Sequence, residues 1–209
     1  MATRIYHITH IDNLASILRS GGLVSTTRRL SEVIQHTDIA HSHIQDRRSR
    51  VRVPCAAGGT LHDYVPFYFA ARSPMLFSNY KRNVAGYQGG QTPILHLVTT
   101  SEAVQAAKLP CCFTDGHAAI NYTEFYEDLS LLETTIDWTL MKAKYWSDTE
   151  DDPNRQFRRN AEFLVHDFVP WPLMIGIAVI DEAMKQQVNQ VLQGFSCNTP
   201  VKVYRDWYY

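Results

Sequence analysis

RRNAEFLVHDFVPW, residues 158–171, is the stretch on which the fold turns. Within it AEFLVHDFV (161–169) is dominated by apolar, aromatic and β-branched residues, which predicts a buried strand running into a turn. An acid, Glu162, heads that apolar run, just behind Arg158 and Arg159. Such a carboxylate is either a solvated strand end or a catalytic group held on a rigid element. Further strands are predicted around it: RIYHIT (4–9), YVPFYFAAR (64–72), TPILHLVTT (92–100), IGIAVI (175–180) and VKVYRDWYY (201–209). PCCFTDGH (110–117) reads as a short strand followed by a turn.

Helices are predicted between them. HIDNLASILRSGGL (10–23) carries Ile11, Leu14, Ile17 and Leu18 on one face, with Asp12 or Thr9 as cap and Gly21–Gly22 as terminator. SPMLFSNY (73–80) has Pro74 in its first turn, SEAVQAAK (101–108) is capped by Ser101, and DEAMKQQVNQVLQ (181–193) follows a strand. Residues 123–146 read as largely helical, and SDTEDDPNRQ (147–156) as an exposed acidic loop. A long polar excursion, 26–54, holds one helix near IAHSHIQDRRSR. There is no repeat or low-complexity segment, so the 209 residues are expected to form one mixed α/β (α+β) domain, 1–209.

Bulk numbers exclude several classes. The chain is 45% hydrophobic and 20% charged, which is globular composition. A formal net charge of -1 provides no global basic field, so contact with nucleic acid must rest on local patches. No signal peptide opens the sequence and no apolar run reaches membrane-spanning length, so a cytoplasmic protein without a membrane partner is expected. The four cysteines form no C-x-x-C pair and are expected to be plain reduced thiols.

Three constellations stand out. Arg47, Arg48, Arg50 and Arg52 crowd into six residues of the excursion, with Arg28 and Arg29 upstream. Composition alone makes this a solvated helix face, but guanidinium forks suit phosphate, and excursions of this length usually serve function. His36, His41 and His43 lack the spacing of a metal site, so no metal is expected. In YVPFYFAAR the pleat puts Val65, Phe67 and Phe69 on the better core face and leaves Tyr64, Pro66 and Tyr68 for a cleft. His7 and Thr9 share one face of the first strand, with Asn13 on the helix after it.

Taken in order, IYHITHIDNL, HIQDRRSR, GGTLHDYVPFYFAARSPML, YQGGQTPILHLV, FTDGH, AEFLVHDFVPW and the terminal RDWYY resemble the DarT family of DNA ADP-ribosyltransferase toxins. The resemblance covers nearly the whole chain. It implies an ADP-ribosyltransferase fold, a split and mostly antiparallel β core surrounded by helices. It implies NAD as substrate and transfer of ADP-ribose to thymine N3 in single-stranded DNA. It further implies a macrodomain antitoxin partner of the DarG kind. By the same resemblance Glu162 and Arg48 are catalytic, and His7, Thr9, Asn13 and Tyr68 hold NAD. Arg47, Arg50, Arg72, Met75 and His117 are assigned to the DNA substrate. Alternative readings are another acceptor (guanine, RNA or protein), water as acceptor, or a non-catalytic single-stranded-DNA-binding module.

Overall fold

The computed structural model describes residues 2–209. Ten strands are formed: β1 (Arg4–His10), β2 (Gly22–Val24), β3 (Tyr64–Tyr68), β4 (Ile94–Thr100), β5 (Cys111–His117), β6 (Phe125–Tyr126), β7 (Ala161–His166), β8 (Phe168–Pro170), β9 (Gly176–Val179) and β10 (Val201–Val203). Eight make one sheet in the order β10-β9-β4-β1-β3-β7-β5-β6, while β2 and β8 pair separately. Neighbours are antiparallel except β9 and β10, which run parallel.

The sheet is nearly split in the middle. β1 pairs with β4 along its whole length, and β3 pairs with β7 along nearly all of its own, but β1 and β3 meet at one registered pair, Tyr6↔Tyr68. Where the ladder fails, a side chain spans the gap: His7 Nδ1 lies 2.8 Å from the Pro66 carbonyl. The halves part where His7 and Thr9 face Pro66 and Tyr68, and a cleft lies there.

Helices cover the sheet: α1 (Leu14–Arg19), α2 (Thr26–Ser31), α3 (Ser42–Arg48), α4 (Pro74–Tyr80), α5 (Ser101–Ala106), α6 (Leu132–Thr135), α7 (Trp138–Lys142), α8 (Arg155–Arg159) and α9 (Glu182–Gly194). α9 buries Met184, Val188 and Leu192, one residue per turn, and its N-cap Asp181 accepts from the Met184 N–H. Gly21 follows α1 with φ 77, the left-handed turn that lets the chain reverse into β2.

Several expectations are corrected. Residues 161–169 are two strands, because Asp167 takes φ 59 and turns the chain out of the large sheet into β8. Residues 123–146 are not largely helical: β6 pairs with β5, and only short turns and helices follow. Asp128 and Asp137 spend their carboxylates capping Ser130 and Leu140 N–H groups, which starts new turns instead of continuing one helix. Thr100, not Ser101, caps α5, and the His10 ring, not Asp12 or Thr9, caps the turn before α1. α2 lies in the segment read as excursion, and α8 begins at the end of the one read as acidic loop. β5 runs on through His117 across a register shift, and the last strand stops at Val203. Cys55, Cys111, Cys112 and Cys197 are free.

His96 lies wholly inside this core, on β4. Its Nε2 is 2.9 Å from the Ala71 carbonyl and its Nδ1 3.2 Å from the Tyr208 hydroxyl. Burial holds its pKa down from 6.5 to about 4, so the ring is neutral in the fold. The unfolded chain takes up that proton first. Stability therefore falls as pH drops from 6.5 towards 4, by about 3 kcal/mol at full expression. Thermal melts over this window are expected to show a falling Tm in the native chain. His96→Gln, whose amide replaces Nε2 without titrating, flattens the slope. An equally steep slope in that variant assigns it to other groups.

Candidate active site

Glu162 enters the cleft from β7, two residues into the strand, with cross-strand partner Tyr68 on β3. Its backbone is pinned from the other side: the Glu162 N–H donates to Thr114 Oγ1 at 3.0 Å, and that hydroxyl lies 2.7 Å from the Gly116 carbonyl. The carboxylate is only 4% exposed. A buried carboxylate needs partners, and it has two. Arg48 Nη1 donates to both oxygens, at 3.0 and 2.8 Å, and the Ala118 N–H donates to Oε1 at 3.2 Å.

Arg48 closes α3, and only 7% of it is exposed. Arg47 beside it is exposed. Because Nη1 serves both Glu162 oxygens, the second arm is left over: Arg48 Nη2 is buried without a hydrogen-bond partner among the described residues. Arg48 also lines the cleft.

The excursion forms one wall. Asn13 holds it, donating to the Thr37 carbonyl at 2.9 Å and accepting from the Thr37 N–H at 2.7 Å. Asn79 Nδ2 ties down the Ile39 carbonyl at 3.0 Å. The cleft has a volume of about 350 Å³, within the ~300–1,000 Å³ usual for ligand pockets.

His7, Thr9, Tyr68, Met75 and His117 line the cleft, as the sequence reading expected. Pro66 O can only accept, so His7 Nδ1 carries the proton and Nε2 is left as an acceptor; burial lowers the ring's pKa and keeps it neutral. His117 has the opposite tautomer. Its Nδ1, 3.9 Å from Glu162 Oε1, accepts from the Ala119 N–H at 3.1 Å, so the neutral ring carries its proton on Nε2. Burial lowers this pKa too, against the pull of the Glu162 charge. Burial first, and then the Glu162 charge, raise the Tyr68 pKa, so the phenol stays a donor.

Four expected site residues are elsewhere. Asn13 does not line the cleft; its amide is occupied by Thr9 and Thr37. Arg72 is turned away, its guanidinium 4.3 Å from the centroid of the Tyr209 ring. Arg47 and Arg50 stand in solvent outside the cleft. Conversely, Asn160, which the sequence does not single out, lines it, and so does Arg29, which the sequence groups only with the phosphate-suited arginines. Helical geometry separates Arg29 from Arg28, which is tied to Glu32 at 2.7 Å and Asp167 at 3.4 Å. His41 and His43 approach to 5.2 Å between ring centroids, yet no group of three metal-ligating side chains forms among the described residues. No described helix is long and apolar enough to cross a membrane.

Chemically, the cleft sets a buried carboxylate beside a guanidinium with a spare arm, flanked by two neutral imidazoles and a phenol. Such a set can stabilise developing positive charge at the carboxylate and offers cationic and neutral donors to a developing negative charge.

The family described as "ssDNA thymidine ADP-ribosyltransferase, DarT" matches residues 6–209. A DNA ADP-ribosyl transferase of Thermus sp. (strain 2.9) is 44% identical over 99% of this chain and 96% of its own length. The solved structure of Thermus sp. 2.9 DarT with ADP-ribosylated ssDNA superposes with a TM-score of 0.92 at 43% identity, covering 100% of this chain and 97% of that one. Its complex with NAD+ gives 0.89 at 40% identity, covering 100% and 98%. A DNA ADP-ribosyl transferase-DNA ADP-ribosyl glycohydrolase fusion protein of Thermosipho africanus is 26% identical over 94% of this chain and 47% of its own length.

Proposed function

The chain belongs to the DarT family of ssDNA thymidine ADP-ribosyltransferases, and on that premise we propose that it moves ADP-ribose from NAD to ring nitrogen N3 of a thymine in single-stranded DNA, releasing nicotinamide. It is an NAD-dependent DNA ADP-ribosyltransferase, with NAD as substrate. The observation that supports the finer reading is the buried Arg48–Glu162 pair lining the cleft, with Arg48 Nη2 left without a partner among the described residues.

The bond from ribose C1' to nicotinamide breaks through an oxocarbenium ion, as in glycoside hydrolysis. Glu162 faces that cation with one oxygen and takes the ribose 2'-hydroxyl hydrogen bond. His7 Nε2 accepts from a ribose hydroxyl, and Thr9 lies on the same side. The thymine imide loses its N3 proton to Glu162, N3 bonds to C1', and the C1'–nicotinamide electron pair leaves with neutral nicotinamide. Arg48 Nη2 meets the negative charge on the imide oxygens. Tyr68, Met75 and His117 pack the base. N3 lies on the Watson–Crick edge, so only an unpaired base can react.

Arg47 and Arg50, exposed beside the catalytic helix end, suit DNA phosphates. Asn13 acts behind the site by holding the excursion, and Arg72 has no contact with substrate in this reading. The match across residues 6–209 supports one ADP-ribosyltransferase domain over 1–209. The glycohydrolase fused to the Thermosipho relative supports a partner that removes the mark, the DarG-like macrodomain antitoxin, in the cytoplasm where such DNA lies. Incubation with NAD and mixed-sequence oligonucleotides, followed by nucleoside mass analysis, tests the reading. The added mass is expected on thymidine alone; on deoxyguanosine it transfers the acceptor assignment, and on none it removes the reading.

A further inference from the structure

The cleft wall carrying Pro74 and Met75 is held from behind by residues that do not line the cleft. The three carbonyls leading into it are all taken. Ala71 O is 2.9 Å from His96 Nε2, and Arg72 O accepts from Arg159 Nη2 and the Tyr209 hydroxyl, each at 2.9 Å. Ser73 O lies 3.4 Å from the same hydroxyl. That hydroxyl also accepts from Trp146 Nε1 at 2.9 Å, and the Tyr209 ring packs against Arg72 on one side and Phe77 on another. Gln91 clamps the backbone of Tyr209: its Oε1 accepts from the Tyr209 N–H at 3.0 Å, and its Nε2 donates to the Tyr209 carbonyl.

Arg159 gives this node its relation to the chemistry. It is 2% exposed, has no carboxylate partner among the described residues, and lies three positions before Glu162. One carbonyl, that of Arg72, thus receives a donor from the segment that leads into the catalytic strand and a donor from Tyr209. Met75 follows three residues later.

We infer that Tyr209 is a positioning residue for the acceptor: through the Arg72 carbonyl it fixes Met75 relative to Glu162. The inference rests on the proposed reading, in which Met75 packs the base. None of the hydrogen bonds of this node involves His7 or Thr9, which carry the NAD side. Slack in the wall changes where the base stops, and a misplacement of about 1 Å costs on the order of 100-fold in rate when geometry limits reaction.

Tyr209→Phe keeps the ring and removes the hydroxyl. Its KM for a thymine-containing oligonucleotide is expected to rise about five- to tenfold, the value of roughly one net hydrogen bond, with NAD affinity unchanged to within about twofold. Gln91→Leu, which frees the Tyr209 backbone, is expected to give the same split, and the double variant less than the product of the two. Melting temperatures report the folded fraction. An equal loss on the NAD and DNA sides means a merely structural role and overturns the inference; so does no change in either. The reading beneath it is judged separately, by whether the unaltered chain modifies the oligonucleotide at all.

Discussion

Glu162→Gln is expected to lower the rate of ADP-ribosyl transfer by about a thousandfold or more while NAD still binds. Glutamine keeps the shape of the side chain and one oxygen for Arg48 and the Ala118 N–H, so the site stays assembled. What disappears is the negative charge. The carboxylate is 4% exposed, so its field at a neighbouring cation is poorly screened. Two unit charges about 4 Å apart interact by roughly 4 kcal/mol at an effective dielectric of about 20, which sets an upper bound of about three powers of ten in rate. NAD already carries a positive charge on the nicotinamide nitrogen, and cleavage moves it onto C1' and the ring oxygen, so only the gain from that shift towards Glu162 acts on kcat. Loss of the base that takes the N3 proton adds about 100-fold or more. Single-turnover transfer to an oligonucleotide, NAD titration and a thermal melt distinguish the cases. Retained transfer would remove Glu162 from the chemistry, and loss of NAD binding together with Tm would make it a structural residue.

How far the sequence could be read depends on which interactions are local. The pleat of 64–68 is local, and it separated Pro66 and Tyr68, on the cleft, from Val65 and Phe67, in the core. The odd placement of Glu162 in an apolar run was legible for the same reason: a charge at a buried strand position demands an explanation. The partner was not local. Arg48 lies 114 residues away, and only the family resemblance singled it out from Arg47. Asn13 and Arg72 show a different limit. The Asn13 amide is claimed by Thr9 and Thr37, while the Arg72 guanidinium lies over the Tyr209 ring and its Nε is buried without a partner among the described residues. The 123–146 segment was misread because Asp128 and Asp137 serve as caps, a choice made by neighbouring backbone geometry and not by composition.

Arg48→Lys is the variant that divides two possible jobs of the arginine. In the structure one arm, Nη1, holds both oxygens of Glu162, and the other, Nη2, is buried and free. Alanine at 48 would confuse the test, since an unpaired buried carboxylate costs about 3–5 kcal/mol of stability on its own. Lysine keeps the positive charge against Glu162 but is a single point donor without the second arm. If Nη2 meets the developing imide anion, transfer to thymine falls by about a hundredfold, the usual loss for one oxyanion donor, while NAD cleavage to free ADP-ribose falls far less. The ratio of modified DNA to free ADP-ribose therefore drops, and chromatography of one reaction mixture measures both. If Arg48 only holds Glu162 in place, both products decline in parallel and the ratio is preserved. That outcome would leave the imide proton to be removed without a cation facing it. The acceptor half of the mechanism would then need a different donor, with His117 Nε2, protonated and on the same cleft, as the next group to replace.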